Sequence, residues 1–292
     1  MTKPIQQMKP MLAVNIEIEA VRFPCYASAK IDGVRGVVVN GQIVSRSLKP
    51  IPNVHVTKLF SHDWLNGYDG ELVVGASTAT DVYRKTNSAV SRHDGTPKIT
   101  FYVFDNYLAH GTFEQRLPTL RGGAGVVILD QRLINNTEQL LAFEAQQLTL
   151  GYEGLILRNP KGGYKYGRST AKEQGMIKIK RFQDSEAVIL EVLEEYENTN
   201  AKSTNELGNS KRSSHQAGMK PKGRAGALRV REMNTGVEFS IGTGMNADDR
   251  AFFWLHREAV IGKIVKYKSF LIGVKDAPRF PVYLGGRGAW DM

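Results

Sequence analysis

The sequence predicts an α+β fold divided between two domains, the second a small β-barrel. Three observations carry this expectation. The chain has 292 residues, enough for about two domains at roughly 150 residues each. Up to about residue 182, short strand-like runs mix with helical ones without a regular βαβ alternation, which favours α+β over a doubly wound sheet. After about Asp184 the runs become short strands with a single helix among them, a texture that suits an OB-fold.

The clearest local element is Val37-Val38-Val39-Asn40-Gly41-Gln42-Ile43-Val44. Asn-Gly between two β-branched runs marks a two-residue hairpin, because both turn residues need positive φ. Strand-like runs follow at 71–74, 99–104, 154–158 and 176–180. Residues 137–148 read as a helix, with Thr137 as N-cap and Leu140, Leu141, Ala145 and Leu148 on one face. In the second half, 187–193, 227–231, 237–241 and 263–268 read as strands. The helix among them starts with Asn246 as N-cap and carries Asp248 and Asp249 in its first turn, where the helix dipole favours acids. No internal repeat is visible.

Composition narrows the function. Lys and Arg number 39 against 29 Asp and Glu, a formal charge of +10, and the isoelectric point is about 9.6. A polyanionic partner is expected, nucleic acid or an anionic surface. The one cysteine, Cys25, excludes an internal disulfide and a multi-cysteine zinc site. No apolar run reaches 18 residues, so no membrane span is expected. The start, Met1-Thr2-Lys3-Pro4-Ile5-Gln6-Gln7, lacks a signal-peptide core, and the expected location is intracellular. The charge is unevenly spread. Residues 198–231 hold Lys202, Lys211, Arg212, Lys220, Lys222, Arg224, Arg229 and Arg231 against Glu206 alone, a net +7. Before Ala227 this stretch is poor in large apolar residues and cannot bury enough surface to fold alone. It reads either as a solvated loop or, favoured by its share of the charge, as an arm that orders on a phosphate backbone.

Several short patterns can carry chemistry. Lys30-Ile31-Asp32-Gly33-Val34-Arg35 offers a lysine that becomes a nucleophile if its pKa falls, a glycine that allows close backbone approach, and an arginine suited to phosphate or ribose. Standing by itself it reads equally well as a surface lysine and an Asp-Gly turn. Asp69-Gly70-Glu71-Leu72 and Glu153-Gly154-Leu155-Ile156-Leu157-Arg158 each place an acid at the head of an apolar strand, where it can enter a cleft or simply follow a turn. In Met176-Ile177-Lys178-Ile179-Lys180, alternation puts both lysines on one strand face. That is a solvated face unless a polyanion lies between them. In Phe101-Tyr102-Val103-Phe104-Asp105 an aromatic can be core or can stack on a base.

The order of these patterns is informative. Lys30, Glu71, Phe104, Glu153 and Lys178/Lys180 follow the sequence of motifs of the covalent nucleotidyltransferases, which comprise DNA ligases, RNA ligases and mRNA capping enzymes. The chain resembles one branch more closely. Phe23-Pro24-Cys25, Ser45-Arg46-Ser47-Leu48-Lys49-Pro50-Ile51, Tyr164-Lys165-Tyr166-Gly167-Arg168-Ser169-Thr170, Ser240-Ile241-Gly242-Thr243-Gly244 and Pro278-Arg279-Phe280-Pro281-Val282 are similar to the minimal ATP-dependent DNA ligases of chlorella viruses. The similarity runs from about Met11 to Arg287. Pro52 stands where a basic residue is expected, and the tail Gly288-Ala289-Trp290-Asp291-Met292 is less alike.

The resemblance implies a nucleotidyltransferase (adenylation) domain over 1–182 and an OB-fold domain over 183–292, with a basic DNA-clamping loop at about 198–226 and a hinge near 181–184. It implies nick sealing in three steps: Lys30 takes AMP from ATP, passes it to a 5′-phosphate, and a 3′-hydroxyl then displaces AMP. Lys178 and Lys180 would hold the reacting phosphates and help lower the pKa of Lys30. Glu71 would bind ribose or metal, and Glu153 a metal, Mg²⁺ or Mn²⁺. Asp32 would orient Lys30 and later the 3′-hydroxyl. Arg35 would hold the ribose side, Phe104 would stack on adenine, and Arg46 and Arg168 would bind the nick 5′-phosphate. Arg279 and Asp291 match the family's last motif, which orients pyrophosphate. Lys202, Lys211, Arg212, Lys220, Lys222 and Arg224 would contact DNA phosphates. The expected partner is nicked duplex DNA, bound by a monomer. The alternatives are a capping guanylyltransferase using GTP, an RNA ligase, and a non-catalytic nucleic-acid-binding OB protein.

Overall fold

The computed structural model describes residues 8–179, 182–270 and 277–286. They fall into two compact units, 8–179 with Thr204–Asn209 and 182–203 with 210–286. Among the described residues no helix is long and apolar enough to cross a membrane.

The first unit holds strands β1 (Val14–Asn15), β2 (Cys25–Ala29), β3 (Val34–Val39), β4 (Gln42–Ser45), β5 (Tyr68–Val74), β6 (Ile99–Asn106), β7 (Val126–Ile128), β8 (Arg132–Ile134), β9 (Leu155–Arg158) and β10 (Met176–Ile179). Its helices are α1 (Val54–Phe60), α2 (Val82–Ser91), α3 (Phe113–Arg116) and α4 (Thr137–Thr149). The strands form two five-stranded sheets, β4-β3-β5-β6-β7 and β1-β10-β9-β2-β8. The β3–β4 turn is the expected one, with φ of +50° at Asn40 and +72° at Gly41.

Each sheet buries one face. Under the first, Val38, Ile43, Phe60, Leu72, Phe101 and Val103 pack together with α1. Under the second, Ala27, Leu155, Leu157, Ile177 and Ile179 pack on Leu140 and Phe143 of α4. Alternation then turns Ile156, Arg158, Met176 and Lys178 the other way, and these four line a common cleft.

Two expectations for α4 are corrected. Its N-cap is Asn136, whose side chain accepts from Gln139 N at 2.9 Å, so Thr137 is already helical. Its buried stripe is Leu140, Phe143, Glu144 and Gln147, whereas Leu141 and Ala145 are exposed. The sheet, not the leucine spacing, selects the face.

The second unit holds β11 (Phe182–Asn198), the hairpin β12 (Lys202–Thr204) and β13 (Ser210–Arg212), then β14 (Met219–Glu232), β15 (Glu238–Ile241), α5 (Ala247–Leu255), β16 (Ile264–Phe270) and β17 (Arg279–Gly286). Its antiparallel sheet runs β15-β14-β11-β16-β17, and a bridge joins Thr243, just after edge strand β15, to Val282 of the other edge strand β17. Register shifts at 189–191 and 193–196 of β11 mark bulges that bend this 17-residue strand around Ile189, Leu228, Val230, Val265 and Tyr267. Asn246 caps α5 as expected, and the structure adds a capping box, Asn246 and Asp249 exchanging hydrogen bonds of 2.8 Å.

Phe182, Gln183 and Asp184 are strand residues paired with Phe270, Ser269 and Lys268. One further expectation changes. The basic stretch 198–226 is not a structureless loop. It contains the β12–β13 hairpin and the start of β14, which pairs with Tyr196, Glu197 and Asn198 of β11. Backbone pairing with an existing strand orders a stretch whose own apolar residues could not.

Candidate active site

The cleft of the first unit has a volume of about 330 Å³. Its wall holds Lys30, Arg35, Arg46, Glu71, Phe104, Arg168 and Lys178 from the motifs above, together with Ala29, Leu129, Gln131, Ile156 and Arg158. The cationic and acidic groups come from β3, β5, β9 and β10, from the ends of β2 and β4, and, for Arg168, from the segment between β9 and β10. The apolar surface comes from Phe104, Leu129 and Ile156.

Lys30 follows β2 and its backbone N–H donates to the Gly154 carbonyl at 2.9 Å. Its Nζ forms an ion pair with Glu153. Asp32 is partly buried two residues on. A Cβ at Gly33 would run into the Leu72 carbonyl, so the glycine admits the neighbouring strand β5, and it also lines the cleft.

Glu71 lies opposite Arg35 in the β3–β5 register. Burial lifts its carboxyl from 4.5 to about 7, against the pull of Arg35 and Lys30; the Asp69 and Asp32 charges add to the rise. Lys178 is held below its ordinary pKa by burial and by the Lys30 and Arg168 charges. Its alternation with Ile177 and Ile179 is as the sequence indicated. Arg168 donates to the Ala13 carbonyl at 2.8 Å, and both it and Arg46 are exposed at the rim.

Arg35 is fixed by its neighbours. Its Nε and Nη2 donate to Asp69 at 2.6 and 2.7 Å, and Nη2 also donates to the Met11 carbonyl at 3.1 Å. Burial opposes its charge, yet Asp69 keeps it protonated. The Tyr164 hydroxyl donates to the same carboxylate at 2.6 Å and accepts from Met11 N at 3.0 Å. Burial and Asp69 hold that phenol well above its ordinary pKa, so it stays a donor.

Behind this lies a second buried group. Arg116 donates to both oxygens of Asp105 at 2.8 and 3.1 Å, and Arg158 Nη1 stands 3.2 Å from the same carboxylate. Phe104, 7% exposed, has Arg35 over its ring at 4.6 Å and Arg158 at 5.5 Å. Asp69, Asp105, Arg158 and Tyr164 stand within the quoted patterns but received no role there, and Arg116 stands in none of them. Asp69 carried a signal, since it shares the Glu71 face of β5 two residues away. The others come from positions far apart in sequence.

Lys180 lies outside the described residues, as does Asp291; Arg279 opens β17, but its side chain lies outside the description. In the second unit Lys222 and Arg224 both pair with Glu195 at 2.8 and 2.7 Å. Arg229 and Arg231 pair with Glu238 at 3.0 and 2.8 Å. The two acids are strand neighbours outside the stretch whose charge was counted, and together they take its +7 to +5. Among the described residues Lys202, Lys211 and Lys220 have no ion pair, and Arg212 donates to the Asn198 and Asn200 carbonyls at 2.9 and 2.7 Å.

The raised Glu71 pKa makes a stability prediction. Below about pH 4.5 the carboxyl is protonated folded or unfolded. Between 4.5 and about 7 the folded state binds more protons, so the unfolding free energy falls as pH rises. The loss by pH 8 is at most about 3 kcal/mol. Glu71→Gln, neutral throughout, is expected to melt higher than the parent at pH 8 and level with it at pH 4.5. An equal melting difference at both pH values would contradict the burial of this charge.

Residues 10–180 match the family model of the ATP dependent DNA ligase domain, and residues 218–287 that of the DNA ligase OB-like domain. The chain therefore belongs to the ATP-dependent DNA ligases, pairing a nucleotidyltransferase domain with an OB-fold domain. It is an enzyme of that class. The crystal structure of chlorella virus DNA ligase-adenylate is 34% identical, covering 96% of this chain and 99% of that one, with a TM-score of 0.54. A DNA ligase of Haemophilus influenzae is 26% identical over 263 residues, 88% of this chain and 84% of that protein. A Lig E DNA ligase structure shares the fold, with 24% identity, 96% and 99% coverage and a TM-score of 0.71.

Proposed function

We propose that Lys30 is the adenylated nucleophile of a ligase that seals 3′-hydroxyl/5′-phosphate nicks in duplex DNA, and that the protein works as a monomer. The observation that carries this reading is the convergence of Lys30, Arg35, Glu71, Phe104 and Lys178 on one cleft with a charged end and an apolar end. That is the shape of a nucleotide site.

Lys30 must part from Glu153 and lose its proton before its Nζ attacks the α-phosphorus of ATP; a Nζ–P bond forms as the bond to pyrophosphate breaks. Lys178, and Lys180 in the same motif, offset charge on the phosphate, which is most of what phosphoryl transfer asks of a protein. Arg35, fixed by Asp69, holds the ribose side without having to order itself on binding. Phe104 and Ile156 receive the adenine. Asp32 orients Lys30 and then the 3′-hydroxyl. Arg279 of the last motif orients the leaving pyrophosphate.

Glu71 and Glu153 are the acids of this site that the motifs assign to a metal, and no cluster of three or more metal-binding side chains occurs among the described residues. Two carboxylates fit Mg²⁺ or Mn²⁺, which take their remaining ligands from water and substrate phosphates. When bound, such an ion would neutralise phosphate charge and favour the neutral amine.

Arg46 and Arg168 at the rim take the nick 5′-phosphate. Arg46→Ala is therefore expected to form the lysyl-AMP adduct at the parent rate and to seal a nicked duplex at least about 100-fold more slowly. Single-turnover assays of the two steps check this; parental sealing would remove Arg46 from the site. The duplex is gripped through phosphates by Lys202, Lys211, Arg212 and Lys220, with Lys222 and Arg224 joining once Glu195 releases them. Changing Lys202, Lys211 and Lys220 to serine is expected to flatten the slope of log affinity against log salt by up to about 0.9 per lost contact, with adduct formation unaltered. An unchanged slope would place the DNA elsewhere.

A further inference from the structure

Among the described residues, two buried side-chain atoms in the cleft wall have no hydrogen-bond partner, Gln131 Oε1 and Arg158 Nη2. A buried polar atom left unpaired is costly, and such atoms in a ligand site are accounted for by the ligand. Gln131 lies at the apolar end. It immediately precedes β8, one step beyond the Ala27–Arg132 pair, so it comes level with Ser28, whose partner on the other side is Ile156. Leu129, two residues earlier, is fixed by its N–H to the Val103 carbonyl at 2.8 Å. Gln131 thus stands beside the surfaces of Phe104, Leu129 and Ile156, where a base would lie.

We propose that Gln131 reads the 6-position of the purine, its Oε1 accepting a hydrogen bond from the exocyclic amine of adenine. This rests on the reading of the cleft as the ATP site. The chemistry discriminates because guanine carries a carbonyl at that position, and two acceptors face to face repel. Arg158 Nη2 is a donor and suits a ring nitrogen, which both purines carry, so it adds affinity without selecting. The carboxamide could rotate to present Nε2 to a carbonyl, and a glutamate at the same place could not.

The test measures lysyl-AMP-type adduct formation, as kcat/KM, with ATP, with purine riboside triphosphate (hydrogen at the 6-position) and with GTP. The parent is expected to favour ATP over the purine analogue by about tenfold, the worth of one such hydrogen bond. Gln131→Met is expected to bring that ratio near one while leaving the melting temperature unchanged. Gln131→Glu is expected to keep the preference for ATP over the purine analogue and to reject GTP at least as strongly as the parent. A Gln131→Met variant with the parental ratio, or with both rates lowered equally, would overturn the assignment while leaving the ATP site in place. A parent protein that forms no adduct with any of the three would overturn the assignment and the reading of the cleft together.

Discussion

Lys30→Ala is expected to lose nick sealing with ATP by at least about three orders of magnitude, as removal of a covalent nucleophile does. The same variant is expected to seal a nick whose 5′-phosphate already carries AMP. The distinction follows from what the lysine does. It is needed to take AMP from ATP, and the 3′-hydroxyl is the attacking group in the last step. Lys30 lies with its Nζ on Glu153 and only 17% of its side chain exposed, so an alanine opens a small gap at the cleft wall and leaves both sheets in place. Gel assays with the two substrates check this. Loss of both activities with an unchanged melting curve would assign Lys30 a role beyond adenylation, and retention of ATP-driven sealing would place the nucleophile elsewhere.

Asp105→Ala is expected to destabilise the first unit by about 3–5 kcal/mol, the cost of leaving buried charge uncompensated. Arg116 and Arg158 are 1% and 2% exposed, and both lean on this carboxylate. The burial that depresses the Arg158 pKa is opposed first by Asp105. Without Asp105, two guanidinium groups face each other in the interior. At about 2–4 °C per kcal/mol for a unit of this size, the melting temperature should fall by ten degrees or so. The double variant Asp105→Ala with Arg158→Met should recover part of the loss, because it removes one orphaned charge. A fall below about 1 kcal/mol in Asp105→Ala would show that water, and not the carboxylate, compensates the two arginines.

The parts of the fold legible in the sequence were those set by neighbours along the chain. The Asn40-Gly41 turn needs only its own two residues at positive φ. The N-cap of α5 needs only Asn246 ahead of the first turn. The inward face of Lys178 follows from strand alternation with Ile177 and Ile179 in the core. Features set by packing were not legible. Asn136 and Thr137 are both good caps, and only the path of the chain decides between them. Leu141 and Ala145 fit a helical stripe as well as Phe143 and Gln147 do, until the sheet beneath selects one.

The site divides in the same way. Lys30, Arg35, Glu71 and Phe104 stand in short patterns that can be found by eye. Tyr164 meets Asp69 across 95 positions of sequence, and Arg158 of one sheet meets Asp105 of the other, so nothing local announces them. Glu195 shows the converse error. A charge counted along the chain over 198–231 missed an acid on the adjacent strand that holds Lys222 and Arg224.

The intact mass of the protein after incubation with Mg²⁺ and ATP tests the central claim most directly, with GTP in parallel and Lys30→Ala as control. Pre-bound AMP is first stripped with pyrophosphate. The expected result is one added AMP with ATP, none with GTP, and none on the variant. An added GMP, an adduct that persists on Lys30→Ala, or an unmodified parent would each contradict the assignment of this cleft as a lysine-adenylating site.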